Sequence, residues 1–254
     1  MELFDLTGKT AIVTGSSRGI GRAIAERMAE HVARVVISSR KAAPCNEVAE
    51  AINAKYGVGR AIAIPANISS KEELQRLVDE TRKAFGGIDI LVCNAAANPY
   101  YGPLADISDD AFRKILENNI IANNWLISMV VPEMRARKDG SVMIVSSIGG
   151  LRGSAVIGAY CISKAADMQL ARNLAVEYGA DNVRVNCIAP GLIRTDFAKA
   201  LWDDPETLKR STAGAALKRI GEPDEIAGCA VFLASKAGSF VTGQNFVVDG
   251  GATI

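Results

Sequence analysis

Short apolar, β-branched runs alternate along this chain with longer segments in which apolar positions recur every three or four residues. The runs cover 10–14, 34–38, 61–66, 88–93, 142–145, 183–188 and 246–248. Their continuous hydrophobicity suits strands buried on both faces. The segments 20–30, 46–56, 71–85, 109–137, 159–178 and 224–234 read as helices. Repeated strand–helix alternation predicts an α/β fold: a Rossmann-type, doubly wound parallel sheet of about seven strands with right-handed crossovers. No linker, repeat or low-complexity stretch divides residues 1–254, so one nucleotide-binding catalytic domain is expected. The least regular stretch, 191–222, holds a short apolar helix candidate at 197–202 and reads as a functional lid. The two longest helices carry surplus apolar residues, among them Ile121, Trp125, Leu170 and Leu174. An oligomer interface and deep burial within one subunit both account for these. Pro132 is expected to kink the first of the two helices.

Composition narrows the function. Hydrophobic residues make up 49% and charged residues 22%, as in ordinary globular proteins, so disorder is not expected. Lys and Arg number 29 against 28 Asp and Glu, which leaves no electrostatic case for nucleic acid or an anionic membrane. No apolar run is long enough to span a bilayer, and the first residues lack the pattern of a secretory leader. Five scattered cysteines fit a reducing compartment and no metal site, so the expected location is cytoplasmic. Cys161 reads as a small buried thiol. The single histidine, His31, falls at the end of the first helix, which leaves a Ser-His-Asp hydrolase unsupported.

The first strand runs through Thr14-Gly15-Ser16-Ser17-Arg18-Gly19-Ile20-Gly21 directly into a helix. Glycines let the backbone approach a pyrophosphate, and the helix N-terminus supplies free N–H donors. Gly15, Ser17, Arg18, Gly19, Ile20 and Gly21 are therefore candidate cofactor residues. A Walker A loop is ruled out because no Gly-Lys-Ser/Thr follows. The second strand ends at Ser38-Ser39-Arg40-Lys41, without the acidic residue that usually accepts from the ribose 2′-hydroxyl of NAD. Ser39 with Arg40 and Arg18 favours a 2′-phosphate instead, hence NADP (NADPH).

Tyr160-Cys161-Ile162-Ser163-Lys164 places Tyr160 and Lys164 one helical turn apart on one face. A lysine ammonium at ~4 Å would lower a tyrosine pKa by about 3 units at an effective dielectric near 20. Such a tyrosine is a workable general acid or base.

Taken together with these residues, the segments Asn94-Ala95-Ala96, Asn119, Ser147, Asn186, Pro190-Gly191 and Asp249-Gly250-Gly251 make the chain resemble the short-chain dehydrogenase/reductase family over essentially its whole length. The resemblance implies that Tyr160 protonates the substrate oxygen and Ser147 hydrogen-bonds it. Lys164 would lower the Tyr160 pKa and bind the nicotinamide ribose, and Asn119 would hold a relay water. It implies cofactor contacts at Asn67, Asn94, Ala95, Pro190, Gly191, Ile193 and Thr195, besides Tyr160 and Lys164. Ser146 adjoins Ser147, and side-chain chemistry alone does not choose between them.

Two departures stand out. Asn67 occupies the place of an adenine-binding Asp. His31-Val32 follows the first helix where the family usually has Gly, and Val disfavours the left-handed cap conformation.

A nearer likeness, carried by Val36-Ile37-Ser38-Ser39-Arg40-Lys41, Asn94-Ala95-Ala96-Ala97-Asn98-Pro99-Tyr100-Tyr101-Gly102, Leu192-Ile193-Arg194-Thr195, Leu201-Trp202 and Gly221-Glu222-Pro223, is to the NADP-dependent carbonyl and retinal reductases of the family. It implies NADPH-dependent reduction of an apolar or aromatic ketone or aldehyde, a homotetramer, and a pocket from Tyr100, Tyr101, Leu151, Gly153, Phe197 and Trp202. Animal members of that group carry a peroxisomal tripeptide; this chain ends Ala252-Thr253-Ile254. The rivals are a 3-oxoacyl thioester reductase and a catalytically silent NADP-binding sensor or scaffold.

Overall fold

Residues 2–254 are described by the computed structural model. In chain order the elements are β1 (Thr10–Thr14), α1 (Gly19–Glu30), β2 (Arg34–Ser38), α2 (Ala42–Tyr56), β3 (Ala61–Ala63), α3 (Lys71–Phe85) and β4 (Ile90–Cys93). There follow α4 (Asp109–Leu116), α5 (Ala122–Arg137), β5 (Gly140–Val145), α6 (Gly158–Tyr178), β6 (Val183–Pro190), α7 (Pro205–Thr212), α8 (Pro223–Ala234) and β7 (Asn245–Val248). All seven strands pair in parallel, in the order β3-β2-β1-β4-β5-β6-β7.

The inner strands β1, β4 and β5 are closed to solvent on both faces, which is why their sequences run apolar without alternation, while the edge strands β3 and β7 are partly exposed. Period-two geometry still sorts the side chains. Ala11 and Val13 join a core layer with α1, α2 and α8. Ile12 points the other way, into a layer with α3, α5 and α6. Strand order reverses between β1 and β4, and a doubly wound sheet binds its ligands in the crevice at such a switch point. Thr14 and Cys93 end the two strands there.

Three differences from the sequence pattern bear on the site. The long helix expected over 109–137 is broken into α4 and α5 by a π-turn at Glu117–Ile121, and α5 then runs on through Pro132. The π-turn spans Asn119. The lid holds a 3₁₀ turn at Asp196–Leu201 and a further helix, α7, which starts at Asp204-Pro205. Strand β3 stops at Ala63, three residues short of the predicted end. At the end of α1, Val32 adopts φ +75°, the left-handed conformation that a β-branched residue resists. The chain makes the turn without a glycine, held by Ala33 N–H donating to Met28 O at 3.0 Å.

Candidate active site

The loop after β1 is shaped for an anion. Gly15 (φ +67°) and Gly19 (φ +58°) occupy left-handed backbone positions. A Cβ on Gly21 would sit 2.5 Å from Asn94 Nδ2 and 2.6 Å from Gly15 O, so only glycine fits. No side chain caps the start of α1, which leaves its first-turn N–H groups facing the crevice end of β1. The half-buried Ser17 lies on the same loop, and Ile20 packs against the core behind it. Asn94 ties the loop to β4: its Nδ2 donates to Thr14 O (2.8 Å) and Gly15 O (3.3 Å). Asn94 N–H and Ala95 N–H both donate to Thr14 Oγ1 at 3.0 Å. A glycine cradle with uncapped helix N–H groups fits the pyrophosphate of a dinucleotide.

The corner at the end of β2 contains Ser39, whose hydroxyl lies 3.1 Å from Cys45 Sγ, and the exposed Arg40. Arg18 reaches across to the lid, where its Nη1 lies 3.0 Å from Asp196 Oδ2. Asn67 Oδ1 already accepts from Ser69 N–H at 3.2 Å, which leaves one lone pair for an adenine amino group.

The Tyr–Lys pair sits on α6 as its spacing requires. Lys164 is 2% exposed, with Nζ 5.6 Å from the centroid of the half-buried Tyr160 ring. Burial raises the Tyr160 pKa above its usual value, while Lys164 and the Ser147 hydroxyl pull it down. The net direction is upward, so the phenol keeps its proton at neutral pH. The lowering expected from Lys164 is offset chiefly by burial of the phenol, which the Tyr–Lys spacing alone does not reveal, and in smaller part by the charge of Asp167. Lys164 Nζ donates to Asp167 Oδ2 at 2.9 Å and to Val145 O at 2.9 Å. The Lys164…Asp167 spacing of three residues on one helix was the available signal.

The two neighbouring serines separate clearly. Ser146 is buried and donates its hydroxyl to Lys164 O at 2.8 Å. Ser147 is half-buried, accepts from Gly149 N–H at 3.0 Å and bears on Tyr160. Asn119 is fully buried at the π-turn. Its side chain is shared between Ala97 N (2.8 Å), Ala97 O (3.0 Å) and Ser163 Oγ (3.0 Å). Its main-chain carbonyl accepts from Asn123 Nδ2 at 2.6 Å.

Beyond β6, Gly191 passes the end of β7 so closely that a Cβ would meet Asp249 Cα at 2.7 Å. Gly191 N–H donates to Val248 O, which leaves Pro190 at the strand's crevice end. Ile193 is buried and bridges to Gly221, closing the base of the lid. Thr195 lies over the phosphate loop, its Cγ2 3.2 Å from where a Gly19 Cβ would stand.

The Phe197 ring stands 6.1 Å from that of Tyr160 and is largely exposed. Trp202 Nε1 donates to Thr195 O at 2.9 Å, so this indole braces the lid. Leu151, Gly153 and Tyr101 are exposed, whereas Tyr100 is tethered through its hydroxyl to Pro103 O at 2.9 Å. Burial raises the Cys161 pKa, which leaves that thiol unactivated. No cluster of metal-ligating side chains occurs among the described residues.

Known proteins match the chain over nearly its whole length. The family model described as enoyl-(acyl carrier protein) reductase matches residues 15–253. Dehydrogenase/reductase SDR family member 4 of Oryctolagus cuniculus is 44% identical over 248 residues, covering 97% of this chain and 94% of its own. Among solved structures, a 7α-hydroxysteroid dehydrogenase complexed with NADH and 7-oxo glycochenodeoxycholic acid superposes with a TM-score of 0.93 at 36% identity. The match covers 98% of this chain and 96% of that one. The Pseudomonas aeruginosa RhlG/NADP active-site complex also gives a TM-score of 0.93, at 34% identity with both chains fully covered.

Proposed function

This chain belongs to the short-chain dehydrogenase/reductase family of oxidoreductases, and on that premise we propose that it reduces an apolar or aromatic ketone or aldehyde with NADPH. The observation that carries the reading is the placement of the Tyr160 ring beside the Ser147 hydroxyl, with the buried Lys164 Nζ 5.6 Å from that ring. NADPH supplies the hydride. Ser147 donates a hydrogen bond that holds the carbonyl oxygen at Tyr160. As the C=O bond opens, Tyr160 gives its proton to the oxygen, and the product is the alcohol. Lys164 stabilises the phenolate left behind. Asn119 fixes Ala97 and Ser163, and with them the π-turn against α6. The roles of Arg40, Arg18 and Ser39 as the 2′-phosphate corner rest on the absence of an acid at the end of β2.

Phe197 over Tyr160 supports an apolar or aromatic substrate. Three cations around the crevice are ion-paired, Arg18 with Asp196, Arg194 with Glu222 and Lys199 with Asp203, whereas Arg210 and Lys218 further along the lid bond only Thr207 Oγ1 and Ala213 O. An acidic acyl-carrier protein would need basic surface here, so the thioester reading turns on Lys209, Arg210 and Lys218, and the apolar reading rests on Phe197 instead.

The test is NADPH oxidation against a panel of aliphatic and aromatic ketones and aldehydes, with Tyr160→Phe as control. Turnover of the apolar members, lost in the variant while NADPH still binds, is expected. A variant within tenfold of the parent would remove Tyr160 from the acid role.

A further inference from the structure

Lys164 is not held by its family neighbours alone. Asp167 is completely buried, one turn further along α6, with Oδ2 2.9 Å from Lys164 Nζ and Oδ1 3.3 Å from Asn123 Nδ2. The same Asn123 amide reaches Asn119 O at 2.6 Å. A continuous line of hydrogen bonds thus runs from the π-turn through Asn123 and Asp167 to the ammonium. We propose that Asp167 is a positioning residue for the reaction: a buried counter-ion that keeps the Lys164 side chain charged and fixed against Val145. This rests on the reading of Tyr160 as the proton donor.

The physical argument is one of buried charge. A lysine ammonium out of contact with water tends to give up its proton unless a carboxylate answers it. Lys164 is 2% exposed, yet Asp167 and Tyr160 hold its pKa above the usual lysine range against the effect of burial. The ammonium has three N–H donors. Val145 O and Asp167 Oδ2 take two, so the third is left for the site. The rotamer is fixed by those two contacts.

Few other groups compete for this charge. The titratable side chains near the pair are Tyr160 on the same helix and the thiols Cys93 on β4 and Cys187 on β6. Burial and the Asp167 charge raise both thiol pKa values, so neither supplies a negative charge to replace the carboxylate. Burial pushes the Asp167 carboxyl up, and its contacts with Lys164 and Asn123 oppose that.

Two readouts test the assignment. The first is carbon-13 NMR of the Lys164 ε-carbon in cofactor-free protein labelled at lysine, with the signal identified by its loss in Lys164→Met. The parent should titrate above the usual lysine value of 10.5. In Asp167→Asn, which keeps the shape of the side chain, the midpoint should fall by at least about two pH units. An unchanged midpoint would overturn the proposal. If that variant does not fold, the parent decides, since a midpoint below 10.5 means that Asp167 does not hold the proton.

The second readout is kcat for a ketone found in the panel. In Asp167→Asn it should decline at least about fivefold from one pH unit below that variant's NMR midpoint to one unit above it, as Lys164 discharges, with the parent flat over that range. A loss equal at both pH values would reveal a packing defect and overturn the proposal. Failure of the Tyr160→Phe control is a separate result, because the NMR titration needs no turnover.

Discussion

Arg18 Nη1 lies 3.0 Å from Asp196 Oδ2, which joins the phosphate loop to the first residue of the lid's 3₁₀ turn. Both side chains are well exposed, so the pair itself contributes little to stability. Its consequence is competition. If Arg18 belongs to the 2′-phosphate corner, Asp196 must yield it when NADPH binds. Asp196→Ala should therefore tighten NADPH by about two- to fivefold, or roughly 0.5–1 kcal/mol, with NADH unchanged. Fluorescence titration of the two dinucleotides checks this. A weaker NADPH Kd in the variant would take Arg18 out of that corner.

Cofactor choice should turn on the next residues. Ser39→Asp places a carboxylate where it accepts from the ribose 2′-hydroxyl of NADH and repels the phosphate of NADPH. Screened at a partly exposed site, that repulsion is about 1–2 kcal/mol, or roughly five- to thirtyfold. Arg40→Ala should weaken NADPH by a similar order and leave NADH nearly untouched. The measurement is the ratio of kcat/KM with the two cofactors at one ionic strength. A parent that prefers NADH, or variants that leave the ratio within threefold, would refute the phosphate corner.

Val32 holds φ +75° at the end of α1 with its side chain partly exposed. The left-handed conformation costs an L-residue about 1–2 kcal/mol, and glycine avoids that cost but loses more chain entropy on folding. Val32→Gly should stabilise the protein by about 1 kcal/mol, raising Tm by about 2–4 °C for a chain of this size. Calorimetry reads it. A lower Tm would mean that the Val32 methyl groups contribute more than the strain removes.

Elements whose evidence is local were legible before the fold was known. Lys71–Phe85 is bounded by Ser70, whose hydroxyl accepts from Glu73 N–H, and by the left-handed Gly86, and the apolar pattern between them reproduces the helix residue for residue. Tyr160 and Lys164 need only helical spacing to meet. The π-turn at Glu117–Ile121 has no such signature, because its register is imposed by Asn119 bonding Ala97 and Ser163, distant in sequence. Asp167 was missed for a related reason. An acidic residue in a helix reads as solvated, and only packing against α5 and β6 shows it closed to water. The surplus apolar residues divide: Leu174 is buried within the subunit, Trp125 and Leu170 are partly buried against its core, and Ile121 is 40% exposed.

That exposed remainder supports assembly. Ile162 is 45% exposed and Val176 is 86% exposed, nearly in line along α6. The expected state is a homotetramer, with these side chains covered by a second copy. Val176→Glu would place a charge in that contact and should shift light scattering toward a smaller species. A parent that is monomeric at micromolar concentration would refute the expectation.

The pH dependence follows from Tyr160. Its pKa stands above the usual 10.0, because burial outweighs Lys164 and Ser147. Reduction needs the phenol. The donor form is fully present below that raised pKa, and activity should be lost only as pH rises through it. Oxidation of the alcohol needs the phenolate, so its rate should rise with pH through the pKa that applies in its own complex. The two complexes differ in charge: the nicotinamide ring is neutral when reduced and cationic when oxidised. A cation beside Tyr160 favours the phenolate. The rising limb of oxidation should therefore lie below the falling limb of reduction, by roughly 1–2 pH units for a charge several ångströms away at an effective dielectric near 20. The check is kcat/KM for one ketone–alcohol pair in both directions, from pH 5 to 11, at constant ionic strength. Coincident limbs would mean that the titrating group does not feel the ring, and the proton donor would then have to be sought away from Tyr160.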